Sequence, residues 1–426
     1  MSHMRFRQTV APIRRSSESR IGSRHRALPT VAEVVQAERP SVPLHCLRPD
    51  VAREAARHFI DRFPGQVLYA VKCNPEPALL RALWAGGVRH FDCASAGEVR
   101  LVRHLLPEAR IHFMHPVKSR AAIREAWEWH GVADFVLDSA AELSKILDET
   151  SGATGDLGLV VRLALPRGGA VYDLSGKFGA ERDEAVRLLR LCRTVAARVG
   201  LCFHVGSQCL DPSAWERALD LAGQVIAEAG VTLDVLDIGG GFPVSYPDVA
   251  PPPLDDFMAA IRRGVARLNL PAWTELWCEP GRALVAPAAS VVVRVEARRG
   301  DALYINDGIY GSLSDAGVPA FRFPCRLVRA NGAQPSGPVV PFSLFGPTCD
   351  SADRMKGPFL LPADAREGDW IEIGQLGAYG ACLRTAFNGF DQAAMVEVRD
   401  RPLLETPGYH RPEHHGTGVS GVGRAA

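Results

Sequence analysis

VLYAVK at residues 67–72 opens a series of eight short apolar runs. HFDCA at 90–94, IHFMH at 111–115, FVLDS at 135–139 and LVVRLAL at 159–165 follow. LCFHVG at 201–206, VLDIGG at 235–240 and LWCEP at 276–280 complete it. Each run has the length and apolar content of a buried strand. Stretches with helical spacing lie between them, as in the stripe Ala78, Leu79, Ala82 and Leu83. Ser95 with Glu98, and Ser139 with Glu142, have the spacing of capping boxes after the second and fourth runs. Eight strands alternating with helices predict a (β/α)8 barrel of the TIM type; a doubly wound parallel sheet is the competing architecture.

The chain has 426 residues, more than this barrel needs. Past the eighth run the rhythm changes. Strands are expected at 290–297, 302–306, 321–328, 339–345, 370–374 and 394–399. Turn clusters such as Arg299-Gly300-Asp301 and Glu367-Gly368-Asp369 separate them, and no long helical stretch intervenes. This predicts a C-terminal all-β domain. The expected organisation is an N-terminal basic arm and a segment joining the β domain (1–42), the barrel (43–285), the β domain (286–402) and a disordered tail (403–426). Residues 5–26 carry seven arginines against Glu18, which reads as a basic arm rather than a transit peptide. His410, His414 and His415 lie in the Gly- and Pro-rich tail and read as solvated rather than metal-binding.

Basic and acidic residues nearly cancel, 49 against 48, which argues against nucleic-acid or membrane binding through bulk charge. No apolar run is long enough to span a membrane, and no signal-peptide core is seen, so a cytoplasmic location is expected. Ten cysteines without a CxxC pair read as buried reduced thiols rather than disulfides or a zinc site, and no metal is expected. Only five of the 49 basic residues are lysine: Lys72, Lys118, Lys145, Lys177 and Lys356. A lysine at a chemically placed position therefore stands out.

In such barrels chemistry gathers at the C-terminal ends of the strands. Those ends carry Lys72, Asp92, His115, Asp138, Arg162, His204, Gly239-Gly240-Gly241 and Glu279-Pro280-Gly281-Arg282. Flanked by Ala70 and Val71, Lys72 should have a pKa lowered by desolvation, which favours an imine with a carbonyl. The triple glycine lets backbone approach an anion, although a tight turn alone would also explain it. Arg282 can add charge to the same phosphate. A carbonyl-bearing phosphate ester is pyridoxal 5'-phosphate, and Glu279 could face its ring nitrogen.

At this point the sequence resembles the eukaryotic-type ornithine decarboxylases and their bacterial relatives, ornithine/lysine decarboxylases among the barrel-fold, alanine-racemase-like pyridoxal phosphate enzymes. YAVKCNPEPALLRAL, FDCASAGEV, FHVGSQC, DIGGGFP, CEPGR, YINDGIYGS, FGPTCDSADR and GAYGACLRTAFNGF carry the resemblance from Tyr69 to Phe390. It implies that Lys72 binds the cofactor covalently, His204 stacks on its ring and Glu279 pairs with its nitrogen. Asp92 and Arg162 match supporting positions. Ser207, Gly239, Gly240, Gly241, Arg282 and Tyr379 match the phosphate cradle. Cys349 matches the residue that returns a proton to the product, and Asp350 an acid that binds the substrate's distal amine. The candidate substrate-binding residues are Asp350, Tyr310 and Asp315. The family forms homodimers with shared sites, and Lys177 and Asp353 match positions that pair across the interface. One departure stands out. Animal ornithine enzymes carry a second acid where this chain reads YGSLSDAGVPAFRFP; the position falls near Pro319, and Asp315 is the nearest acid. The implied activity is decarboxylation of a basic diamino acid, ornithine to putrescine in polyamine biosynthesis. Lysine or a carboxylated polyamine is the alternative. Diaminopimelate decarboxylation and a non-catalytic regulatory role rank lower.

Overall fold

In a computed structural model, the described residues are 27–151, 155–166, 176–317 and 319–409, with the backbone of 14–15 and 170–172. Eight parallel strands form a closed barrel: Gln66–Ala70, His90–Cys93, Arg110–Phe113, Asp134–Leu137, Gly158–Arg162, Arg198–Cys202, Val235–Asp237 and Glu275–Cys278. These are the eight apolar runs. The eighth strand pairs with the first, Trp277 beside Gln66 and Cys278 beside Val67, so the sheet is not an open doubly wound one.

The helices between strands follow from local chemistry. In Pro77–Ala85, proline sits in the first turn, and Leu79, Ala82 and Leu83 are buried against the barrel. Ser95 and Ser139 each accept a hydrogen bond from the backbone N–H three residues on. Neither box closes as expected. Glu98 accepts from the Ala94 N–H instead, and Glu142 accepts from the Lys118 N–H. The complete capping box lies at Thr30 and Glu33.

Leu68, Met114, Val136, Val160, Cys202, Val235 and Trp277 form one buried cluster in the barrel. Burying a side chain of this size stabilises a fold by roughly 1.5–3 kcal/mol. At the N-terminal floor, His90 Nδ1 lies 2.9 Å from His112 Nε2, and His112 Nδ1 lies 2.9 Å from Asp134. Arg198 pairs with the other Asp134 oxygen. This floor is polar but closed, and the chemistry sits at the opposite end.

The second domain is built on the long strand Ala289–Arg299. It pairs antiparallel with Leu44–Leu47, Ala302–Ile305 and Trp370–Ile373. Leu44–Leu47, placed within the barrel by the sequence reading, belongs to this sheet, where it also pairs in parallel with Ala394–Glu397. The backbone of Arg14–Arg15 pairs in parallel with Ala394 and Met395; the rest of the expected basic arm lies outside the described residues. Cys325–Val328 and Val339–Phe345 are found where expected, and a further strand, Arg354–Pro362, was not expected. Residues 403–409, assigned to the disordered tail, pack on the β domain. Thr406 is buried and accepts from the Cys325 N–H, and the Tyr409 hydroxyl bonds to Asp248. Residues 410–426, with the three tail histidines, lie outside the described residues. None of the ten cysteines forms a disulfide among the described residues, and eight of them are buried. Among the described residues no helix is long and apolar enough to cross a membrane.

Candidate active site

The first barrel strand ends in a single tight turn, Val71–Cys73, which turns Lys72 into a cavity of about 410 Å³ at the barrel mouth. Arg162, His204, Ser207, Gly241, Glu279, Arg282 and Tyr379 line the same cavity. Met114, Phe178 and Phe242 give it apolar walls. Lys72 is 41% exposed toward this space, while Asp92, which ion-pairs with its Nζ, is 1% exposed.

The electrostatics differ from the sequence expectation at Lys72. Burial pushes its pKa down, but Asp92 and Glu279 together outweigh burial and hold the amine above the usual lysine value. Two carboxylates on neighbouring strand ends decide the sign, and neither is visible from the apolar neighbours Ala70 and Val71. Glu279 is held well above the usual carboxylate value by burial, then by Asp237 and Asp92. Burial and the nearby Arg162 and Lys72 push His204 down to about 3, so its imidazole is neutral. Its Nδ1 accepts the Gly206 N–H at 3.0 Å, leaving the proton on Nε2.

The glycine turn is built for close approach. Gly239 and Gly241 have φ of 67° and 108°, where side chains are strained. A Cβ at Gly240 would lie 2.4 Å from Glu279 O and 3.1 Å from His204 Nε2. Only glycine lets this turn pass between the imidazole and the eighth strand. Arg282 lies buried beside the turn. Its two Nη atoms donate to the Tyr246 hydroxyl and to Asp315 Oδ2, each at 2.9 Å, and Tyr379 covers its guanidinium 5.0 Å away.

Asp315 is therefore not where a substrate acid was expected. It lies in the interior and pairs with Arg282, because the chain after Ser312 turns inward through a short helical turn, Ser314–Ala316. Asp138, from the expected ring, accepts the Gly179 N–H and ties down the loop that carries Lys177. Lys177 is exposed and lines the cavity, its Nζ 5.0 Å from the Phe178 ring.

A second constellation stands apart, on the β domain. The Tyr310 hydroxyl donates to Asp350 Oδ2, and Asp350 Oδ1 accepts the Ala352 N–H at 2.9 Å. The tyrosine's hydrogen bond holds Asp350 below the usual carboxylate value. Cys349 is exposed, and its N–H donates to Asn388. Phe387 packs 4.9 Å from the Tyr310 ring. None of these residues lines the Lys72 cavity. Asp353 is 3% exposed and accepts from the Ile309 N–H and from the Thr348 N–H and hydroxyl. Within one chain its carboxylate fastens two loops together, and Lys177 is not among its partners.

Sequence reasoning missed Asp237, Phe387 and Asn388 as members of these clusters. Asp237 stood inside a glycine motif and drew no separate reading; the two aromatic-loop residues carried no chemical signal.

Residues 50–286 match the family described as pyridoxal-dependent decarboxylase, pyridoxal binding domain. The chain is 34% identical over 345 residues to a lysine/ornithine decarboxylase of Selenomonas ruminantium, covering 79% of this chain and 84% of the relative. The crystal structure of a lysine/ornithine decarboxylase from Vibrio vulnificus with cadaverine matches at a TM-score of 0.72 and 33% identity, covering 86% and 95% of the two chains. The arginine decarboxylase of Paramecium bursaria Chlorella virus matches at a TM-score of 0.76 and 27% identity, covering 86% and 98%. With a lysine-bearing barrel mouth and a matched region spanning the whole barrel, the chain belongs to the pyridoxal-dependent decarboxylases.

Proposed function

We propose that this chain decarboxylates a basic diamino acid, with L-ornithine preferred and putrescine as product, a polyamine-forming step in the cytoplasm. The carrying observation is the split of functional groups. A cavity around Lys72 holds one set, and Cys349, Asp350 and Tyr310 stand outside it. A homodimer in which a second copy brings the outer set to the cavity accounts for that split.

The cavity fits pyridoxal phosphate. Lys72 would hold its aldehyde carbon, His204 would lie on the ring and Glu279 would face the ring nitrogen. Ser207, Gly239, Gly240, Gly241 and Tyr379 would hold the phosphate. Arg282, with both Nη atoms engaged, would add charge from behind. Asp92 and Arg162 would set the local charge. When bound, pyridoxal phosphate supplies an electron sink for the electron pair left by departing CO2.

The chain's own residues supply the proton and charge handling. Asp92 orients Lys72 Nζ, which can exchange protons with the substrate's α-ammonium group. A neutral His204 adds no second positive charge against the ring. The apolar walls reduce water around the reacting carbon. From a second copy, Cys349 would return a proton to the α-carbon. Asp350, held ionised by Tyr310, would contact the distal ammonium in a charge-assisted hydrogen bond.

One observation favours a second reading, lysine or a carboxylated polyamine. Asp315 is committed to Arg282, so a second acid that would fix a short diamine at the far end is missing from its expected place. CO2 release measured side by side on ornithine, lysine, arginine and diaminopimelate tests the proposal. Fastest release from ornithine supports it, faster release from lysine selects the second reading, and no release from any basic substrate rejects both.

A further inference from the structure

A second cavity lies on the β domain, with a volume of about 510 Å³, and none of its residues borders the Lys72 cavity. Its volume falls in the range of small-molecule sites, roughly 300–1,000 Å³. Arg39, Arg294, Arg329 and Arg366 line it, against two acids, Glu367 and Asp369. The whole chain has a net charge of only +1, so positive charge is concentrated here.

The walls are held by specific contacts. Arg329 is 8% exposed and pairs with Asp369 and Asp364, each at 3.1 Å. Asp369 Oδ2 also accepts the Arg366 N–H at 3.1 Å, which fixes the turn that carries Arg366. Trp370 Nε1 donates to Pro40 O at 2.9 Å, which fixes the segment that carries Arg39. The helix Val31–Glu38 ends at Arg39 with a φ of 45°, a conformation usually left to glycine.

Neutralisation is uneven. Arg329 is matched by its two acids. Arg294 has only long contacts, 3.5 Å to Glu296 and 3.6 Å to Glu367, and its buried Nε has no hydrogen-bond partner. Among the described residues, Arg39 and Arg366 have no ion pair and no side-chain hydrogen bond. Three guanidinium groups therefore reach one cavity from a helix end, a strand and a turn, with donors to spare. A carboxylate offers acceptors in one plane. A tetrahedral phosphoryl group offers them in three directions, and linked phosphoryl groups can meet several guanidinium forks at once.

We propose that this cavity binds a small oligophosphate, free or carried as the tail of a nucleotide, through Arg39, Arg294 and Arg366. Arg329 and Asp369 form its floor and stay paired with each other. The site is separate from the barrel mouth and does not depend on the decarboxylase reading.

Calorimetry on the chain saturated with pyridoxal phosphate, so that the barrel mouth is filled, tests this. The titrants are tripolyphosphate, magnesium-free ATP and citrate. Tripolyphosphate should bind at one site per chain with a Kd below about 1 mM at low salt, and more weakly as salt rises. The double variant Arg39→Ala/Arg366→Ala should weaken binding roughly tenfold or more. Both side chains are exposed, so its Tm should match the wild type. Arg262→Ala, on an exposed helix face of the barrel, should bind like the wild type. ATP binding no tighter than tripolyphosphate assigns recognition to the phosphoryl groups alone, and tighter ATP binding assigns a nucleotide; either supports the site. No binding below about 1 mM, wild-type affinity in the double variant, or citrate binding as tightly as tripolyphosphate overturns the inference. A chain that takes up no pyridoxal phosphate would count against the proposed function alone.

Discussion

The barrel mouth and the Tyr310–Asp350 corner of the β domain use opposite designs. Around Lys72, an exposed amine sits over buried polar groups: Asp92 beneath it, a neutral imidazole against a glycine turn, carboxyls below. Around Asp350, the polar groups are half-buried or exposed, and an exposed thiol and an exposed Phe387 stand beside them. The first region is complete enough to hold a cofactor. The second presents its reactive groups outside the Lys72 cavity. On the proposed reading, the difference is that one chain carries the two halves of a site without joining them.

The largest expected effect breaks the first half. Lys72→Ala should lower kcat by roughly 10²- to 10⁴-fold and remove the visible absorbance of covalently held cofactor. Normal absorbance in that variant would reject the attachment role. Next comes a direct attack on the comparison. Lys72→Ala and Cys349→Ala chains, each nearly inactive alone, should recover about a quarter of wild-type activity when mixed and reassembled, since half the dimers would hold one intact site. No recovery would mean that both regions serve the same chain's site. Asp350→Ala should raise KM for ornithine by roughly tenfold while cofactor content stays unchanged. Loss of cofactor instead would move Asp350 into the first region. Asp315→Asn should do the reverse, weakening cofactor retention a few-fold with KM for ornithine unchanged, because its partner is Arg282. A raised KM would return Asp315 to the substrate.

The smallest effect concerns stability, with one buried histidine in each domain. Burial pushes both His45, in the β sheet, and His90, in the barrel floor, down to about 3. Both lie below the unfolded value near 6.5, so their stabilising share is full above that pH and is lost as pH falls toward 3. Each should remove about 1.4 kcal/mol per pH unit in that window. His90→Gln should flatten the acid side of a Tm-against-pH curve, and an unchanged slope would show that the floor is not titrating.

Much of the barrel was legible because each strand is a compact apolar run ending in a polar residue at the mouth. Lys72, His204 and Glu279 lie on one cavity for that reason. Other elements carried misleading local signals. LHCL at 44–47 looks like one more barrel strand, and only its pairing with Ala289–Val292 shows otherwise. The strand Arg354–Pro362 begins with charge and contains Gly357-Pro358, so its local composition reads as a turn. Leu403–Tyr409 is Pro- and Gly-containing, and its order comes from Thr406 reaching Cys325, a contact 81 residues away. Asp315 and the raised pKa of Lys72 share one cause. Each depends on a partner from a distant strand end, which spacing along the chain does not reveal.

The strand Leu44–Leu47 has a consequence for synthesis. Its two neighbours, Ala289–Val292 and Ala394–Glu397, come more than two hundred and more than three hundred residues later. Arg48, just after it, pairs with Glu372 and Asp400. As the chain leaves the ribosome, this segment emerges early with both edges unpaired; one edge waits for Ala289–Val292 and the other for Ala394–Glu397. The barrel can close meanwhile from sequential neighbours, whereas the β sheet has to wait. Premature termination would therefore leave a folded barrel with a bare, aggregation-prone strand at its front.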